Sequence, residues 1–156
     1  MGQEFVDKPG VIAPPPIIYI ATFLVSLLLQ TRKPLPFLPS PLRNVLGASF
    51  IGTAATIIFF AFREMRRVGT NVNPELPATA LATRGPFQFT RNPLYLSLAL
   101  IYTGLATLAN TLWAFFLLPV LLFIMQRGVI EREERYLERK FGNRYTEYKA
   151  HVRRWL

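Results

Sequence analysis

The stretch Thr83-Arg84-Gly85-Pro86-Phe87-Gln88-Phe89-Thr90-Arg91-Asn92-Pro93-Leu94-Tyr95-Leu96-Ser97 decides how the rest of the chain is read. It stands between two blocks of lipid-compatible sequence and is too short to be a domain, yet it carries two arginines, a glycine, two prolines, an asparagine and a tyrosine. Gly85-Pro86 fixes a turn. Asn92-Pro93 pushes the backbone before the proline out of helix and sets Pro93 at a helix start. The segment therefore reads as a built loop that delivers polar groups to the first turn of an apolar helix, where free N–H groups favour an anionic ligand.

Working outward, the apolar residues fall in long blocks rather than short periodic ones, which is the pattern of a membrane protein. Residues Met1 to Gly10 are polar and expected to fray, and Pro14 to Pro16 can only open a helix. Spans are predicted over 13–30 and 44–62, the second rich in small residues (Gly47, Ala48, Gly52, Ala54, Ala55) that permit close helix packing. Between them lies a proline-rich connector, Thr31 to Pro41. Arg63, Arg66 and Arg67 are expected to stop the second span at the interface, and the irregular stretch Gly69 to Ala82 reads as a loop in water. Two shorter blocks, 94–109 and 112–125, are joined by Asn110-Thr111 and read as a tight helical hairpin, with Pro119 placed to kink the second arm. The expected architecture is an all-α integral membrane protein of about four membrane helices, the last two a short hairpin, followed by a cytoplasmic amphipathic C-terminal helical segment. All of it forms one domain over 1–156.

Composition narrows the chemistry. With no cysteine, disulfides, thiolate catalysis and cysteine metal sites are excluded. The single histidine, His151, lies in a charged tail without a second histidine, and no metal site is expected. Half of the eighteen lysines and arginines follow Met125. Beside membrane spans such a basic tail reads as a positive-inside signal and an attraction to anionic headgroups, not as a nucleic-acid site. The loop from Arg63 to Arg91 and the tail hold most of the basic residues, which puts both termini in the cytoplasm. Glu4 and Asp7 before the first apolar block speak against a cleaved signal peptide.

From Gln126 to Phe141 the pattern becomes an amphipathic helix, with Val129, Ile130, Tyr136, Leu137 and Phe141 at three- and four-residue spacing. Glu133 and Glu134 fall inside that apolar stripe. Either one of them pairs with Arg127 or Lys140, or the two serve a site. Gly142 reads as a C-cap, a second helix restarts at Asn143 or Thr146, and Arg153-Arg154-Trp155-Leu156 ends the chain as a basic, aromatic interfacial anchor.

Taken in order, Gly85-Pro86-Phe87, Thr90-Arg91-Asn92-Pro93-Leu94-Tyr95, Glu131 to Leu137, Phe141 to Tyr148 and Val152 to Trp155 resemble the isoprenylcysteine carboxyl methyltransferase family, which is related to the phospholipid N-methyltransferases. The resemblance implies an integral membrane enzyme using S-adenosylmethionine, with S-adenosylhomocysteine as product, in a bacterial inner membrane or endoplasmic reticulum. It implies a cofactor pocket built from segments 83–97 and 126–156, with Pro86, Phe87, Arg91, Asn92, Pro93 and Tyr95 as one wall. Glu133 and Glu134 would form another, closed by Tyr145, Tyr148, Arg154 and Trp155, and Arg91 and Glu134 would be catalytic. Members close to the eukaryotic enzyme have histidine where Asn92 stands, and asparagine cannot titrate near neutral pH.

The residues agree with such a cofactor. A sulfonium zwitterion needs a partner for its carboxylate, acids for its amine or ribose, and aromatic surface for its adenine or cation. The expected substrate is lipophilic, the carboxylate of a prenylated cysteine or a similar isoprenoid-linked acceptor, with membrane lipids as surroundings. The alternatives are a phospholipid amine as methyl acceptor, and a non-catalytic membrane adaptor whose basic tail binds lipid.

Overall fold

The computed structural model describes residues 7–73 and 76–156. Met1 to Val6, including Glu4, and Pro74 and Glu75 lie outside them. Among the described residues every regular element is helical: α1 Pro15–Arg32, α2 Ser40–Val68, a short 3₁₀ turn Gly85–Gln88, α3 Pro93–Leu108, α4 Leu112–Met125, a π turn Gln126–Ile130, α5 Glu131–Phe141 and α6 Asn143–His151.

Three helices are long and apolar enough to cross a bilayer: α1, α2 and the continuous helix Leu112–Phe141 that joins α4 to α5 through the π turn. α3, at 16 residues, is an apolar helix of about 24 Å and falls short of a core of about 30 Å. Only 17% of the apolar window of α1, and of α2, is buried inside the protein. Ile17, Leu24, Phe59, Phe116 and Phe123 point outward, a surface that suits lipid and not water.

Sequence and structure differ in three places. α2 runs on to Val68, through Arg63, Arg66 and Arg67. Cations in a last turn favour the helix dipole, and what ends the helix is Gly69, at φ 73, with its N–H on the Arg66 carbonyl. The C-terminal amphipathic helix is not separate from α4 but continues it. A π turn carries one extra residue, so α5 is rotated by about 100° from an uninterrupted α-helix. Finally, residues 7–12 are held down. The Arg132 guanidinium donates to the Gly10 carbonyl at 2.9 Å, the Ile12 N–H donates to the Gly128 carbonyl at 3.2 Å, and Asp7 accepts from Tyr136 and Lys140.

α3 is the hub of the bundle, packed against α1, α2 and α4. Its contact with α2 is backbone on backbone: a Cβ on Gly104 would lie 2.9 Å from the Gly47 carbonyl oxygen. The main core, with Tyr19, Tyr102, Leu121, Met125 and Ile130, fills the space between α1, α3 and α4. Its tyrosines satisfy their hydroxyls on helix carbonyls, Tyr19 on Tyr95 and Tyr102 on Ala114.

The two ends of the bundle differ. At one, the turn after α3 is stapled to the connector: Asn110, at φ 51, accepts the N–H groups of Phe37 and Leu38, and Trp113 donates to the Lys33 carbonyl. At the other, the strap 7–12, the loop after α2, the start of α3 and α5–α6 all converge. The Ala78 N–H donates to the Tyr136 hydroxyl at 3.0 Å, and the Arg91 N–H to the Arg153 carbonyl at 2.9 Å.

Candidate active site

A cavity that opens to its surroundings, about 860 Å³ when the space at its open face is counted, lies at this second end. Its walls are the start of α3, the inner face of α5, the ring faces of α6 and the loop after α2.

The α3 wall is built by the loop Thr83–Ser97. The 3₁₀ turn carries Phe87 inward, and the Pro86 carbonyl accepts the Phe89 and Thr90 N–H groups. Asn92 takes a non-helical N-cap conformation at φ -127, ψ 55, and Pro93 follows at the first helical position, where its missing N–H costs nothing. The loop and helix start thus bring Arg91 and Tyr95 to the cavity.

The π turn and α5 bring the acids. Val129, Ile130, Glu134 and Tyr136 are buried, so the apolar stripe read from the sequence is the packed face, with both acids directed at the cavity. Tyr95 donates its hydroxyl to Glu133 Oε1 at 2.8 Å. Glu133 makes no ion pair among the described residues. Glu134 makes two, with Arg91 Nη2 at 3.2 Å and with Arg154 at 2.7 Å. Arg127 instead pairs with Glu131, and Lys140 with Asp7. The Glu134 carboxylate, which accepts two hydrogen bonds from Arg154, makes the Arg154 guanidinium still harder to deprotonate.

Arg91 is the unusual group. Its side chain is 9% exposed, and its Nε and Nη1 are buried without a hydrogen bond of normal geometry among the described residues, the Tyr145 hydroxyl standing close enough to interact with the guanidinium. Buried donors without partners are costly and rare in folded proteins, so this one marks a place for an acceptor. Tyr145 and Tyr148 stand close by with their rings 6.1 Å apart, and Tyr148 donates to the Phe87 carbonyl at 2.6 Å. Burial pushes both phenols well above their ordinary range, so they are donors and ring surfaces, not bases.

Of the residues that sequence reasoning assigned to the pocket, Phe87, Arg91, Asn92, Pro93, Tyr95, Glu133, Glu134, Tyr145 and Tyr148 line the cavity. Pro86, Arg154 and Trp155 do not. Pro86 shapes the turn, Arg154 stands behind Glu134, and Trp155 packs against the main core. Sequence reasoning missed the apolar part of the lining, Met65, Val72, Leu76, Leu81 and Leu94, and also Pro9 from the strap. The scattered leucines and valine of the loop after α2 were the available signal, obscured by the asparagines around them.

Among the described residues no group of histidine, aspartate or glutamate side chains is arranged to hold a metal ion. The family model described as phospholipid methyltransferase matches residues 42–144, from the start of α2 into α6. An uncharacterized protein of Haemophilus influenzae is 48% identical over 68 residues, which is 40% of this chain and the whole of that protein. No solved structure matches. The matched family shares a superfamily with the isoprenylcysteine group that the motifs resemble. An all-helical chain with membrane-length apolar helices, a cavity lined by those motifs and a family match over most of its length is thus a member of the phospholipid methyltransferase family, a membrane methyltransferase.

Proposed function

We propose that this chain transfers a methyl group from S-adenosylmethionine to a lipophilic acceptor in the membrane, in the first instance the carboxylate of a prenylated cysteine or a similar isoprenoid-linked group. The observation that carries the cofactor reading is Arg91, which lines the cavity and holds two buried donors without hydrogen bonds among the described residues, its third nitrogen being on Glu134. The two lie on different edges of the guanidinium, and a carboxylate would take one of them together with the second hydrogen of Nη2 in a two-bond fork.

Each charged group of the cofactor then has a partner. Arg91 receives the carboxylate, and Glu133, oriented by Tyr95 and free of ion pairs, receives the ammonium. Phe87, Tyr145 and Tyr148 offer ring faces to the adenine and the cation. Glu134 holds Arg91 in place. When bound, the cofactor supplies an activated methyl on its sulfonium. The protein's work is to fix the acceptor in line with that methyl and to keep water out. The apolar lining from Met65, Val72, Leu81 and Leu94 suits an acceptor that arrives on a lipid chain.

With Glu134 held by two arginines and no histidine in the lining, an acceptor that needs no base is favoured, and a carboxylate is one. A phospholipid amine is the second reading. It is favoured by the description of the matched family and by Glu133, whose unpaired carboxylate suits an ammonium or a proton from it. The clustering of the basic loop and tail at the cavity end supports a cytoplasmic site with both termini on that side. Membranes containing the protein, supplied with methyl-labelled S-adenosylmethionine, decide the acceptor: label released by mild base is an ester, and label that survives in a phospholipid headgroup is an amine. No incorporation into lipid or prenylated material would overturn both readings.

A further inference from the structure

The last residues of the chain lie along the start of α3. The Arg153 carbonyl accepts the Arg91 N–H at 2.9 Å, and the Arg154 carbonyl accepts from Asn92 Nδ2 at 2.9 Å and from Thr90 Oγ1 at 3.1 Å. From the same residue the guanidinium turns back onto Glu134, Nε to Oε1 at 3.0 Å and Nη2 to Oε2 at 2.7 Å. Glu134 therefore joins two arginines, but unequally. Arg154 takes both of its oxygens in parallel, whereas Arg91 reaches one of them through Nη2 alone, at 3.2 Å.

This inequality has a chemical consequence. A carboxylate next to a single guanidinium settles into a two-bond fork with it. Were Arg154 absent, both oxygens of Glu134 would be open to Arg91, and a two-bond fork between them would spend one of the donors that now make no hydrogen bond. Arg154 does not line the cavity, and its side chain is 28% exposed against 9% for Arg91. It neutralises Glu134 from the rim while Arg91 stays buried. We infer that Arg154 is a positioning residue, engaging Glu134 so that Arg91 is not drawn into a two-bond fork with it and keeps a guanidinium edge for the carboxylate of the ligand. The inference rests on the S-adenosylmethionine reading and assigns Arg154 no contact with the ligand.

Two ligands and two variants test it. S-adenosylhomocysteine carries the amino-acid arm, and 5′-methylthioadenosine keeps the nucleoside without it. Both are titrated calorimetrically into the full-length protein in detergent, as wild type, Arg154→Met and Arg154→Lys. The single variant is expected to bind S-adenosylhomocysteine at least tenfold more weakly, the loss of about one charge-assisted hydrogen bond, and 5′-methylthioadenosine within about twofold of wild type. Arg154→Lys keeps a cation on Glu134 and should return S-adenosylhomocysteine to within about threefold of wild type. Unchanged binding of S-adenosylhomocysteine by Arg154→Met, equal loss of both ligands, or no recovery in Arg154→Lys would each overturn the positioning role. Wild-type protein that binds neither ligand would overturn the cofactor reading itself, a separate result.

Discussion

Tyr95, near the start of α3, hydrogen-bonds Glu133 on α5 at 2.8 Å, and so ties two segments 38 residues apart across the mouth of one cavity. Tyr95→Phe removes the bond and leaves the ring in place. A hydrogen bond to a charged group contributes about 1.5–3 kcal/mol, and the expected result is S-adenosylhomocysteine affinity about tenfold lower or more, with little change in melting temperature. Calorimetric titration and a thermal melt of the same sample check it. A large fall in stability with unchanged affinity would make the bond structural.

The α2–α3 contact should tolerate no added volume. A Cβ on Gly104 would meet Ile51 at 2.8 Å and the Gly47 carbonyl at 2.9 Å, and the latter is backbone that yields only if the helices part. Gly104→Ala is expected to cost about 1–3 kcal/mol through overpacking. Gly52→Ala, which meets nothing within 4 Å, should be neutral or mildly stabilising. Thermal unfolding in detergent separates the two.

At the opposite end Asn110 combines a left-handed backbone with side-chain bonds to Phe37, Leu38 and the Leu38 carbonyl. Asn110→Ala loses both advantages and should destabilise by about 1–3 kcal/mol. Asn110→Gly keeps the backbone freedom and should recover part of that loss. If alanine and glycine are equally harmful, the backbone conformation contributes little there.

Strap attachment should depend on pH in a particular direction. The hydrogen bonds from Lys140 and Tyr136 hold the Asp7 carboxyl below its ordinary value. A depressed folded-state pKa contributes stability that is fully present above the unfolded value of about 3.9 and is lost as pH falls through the folded one. The strap should therefore stay down throughout the neutral range and lift only in acid, and Asp7→Asn should loosen it at pH 7. Hydrogen exchange at residues 7–12 reads this out. Loosening between pH 6 and 8 in the wild type would contradict the assignment.

Much of the fold was legible because lipid demands long apolar blocks: α4 begins and ends where the hydropathy does, α3 starts at Pro93, and Gly142 separates the last two helices. The end of α2 was not, since arginine changes hydropathy without ending a helix and the stop lies in the backbone of Gly69. The π turn was hidden because its extra residue leaves no compositional trace. The acids of the site were legible as charges in an apolar stripe, and Arg91 as a cation at a helix start. The strap and the paired C-terminus were not, because they are held largely by backbone carbonyls, at Gly10, Gly128, Arg153 and Arg154, to which every residue type is equivalent.

The central claim is that Arg91 waits for a carboxylate at the mouth of α3. Titration of S-adenosylhomocysteine into wild type and Arg91→Ala tests it most directly, with 5′-methylthioadenosine alongside as the check that the cavity survives. The account predicts saturable binding by the wild type and affinity about 10- to 100-fold lower in the variant for the ligand with the amino-acid arm alone. Equal affinity of the two proteins for S-adenosylhomocysteine would contradict it.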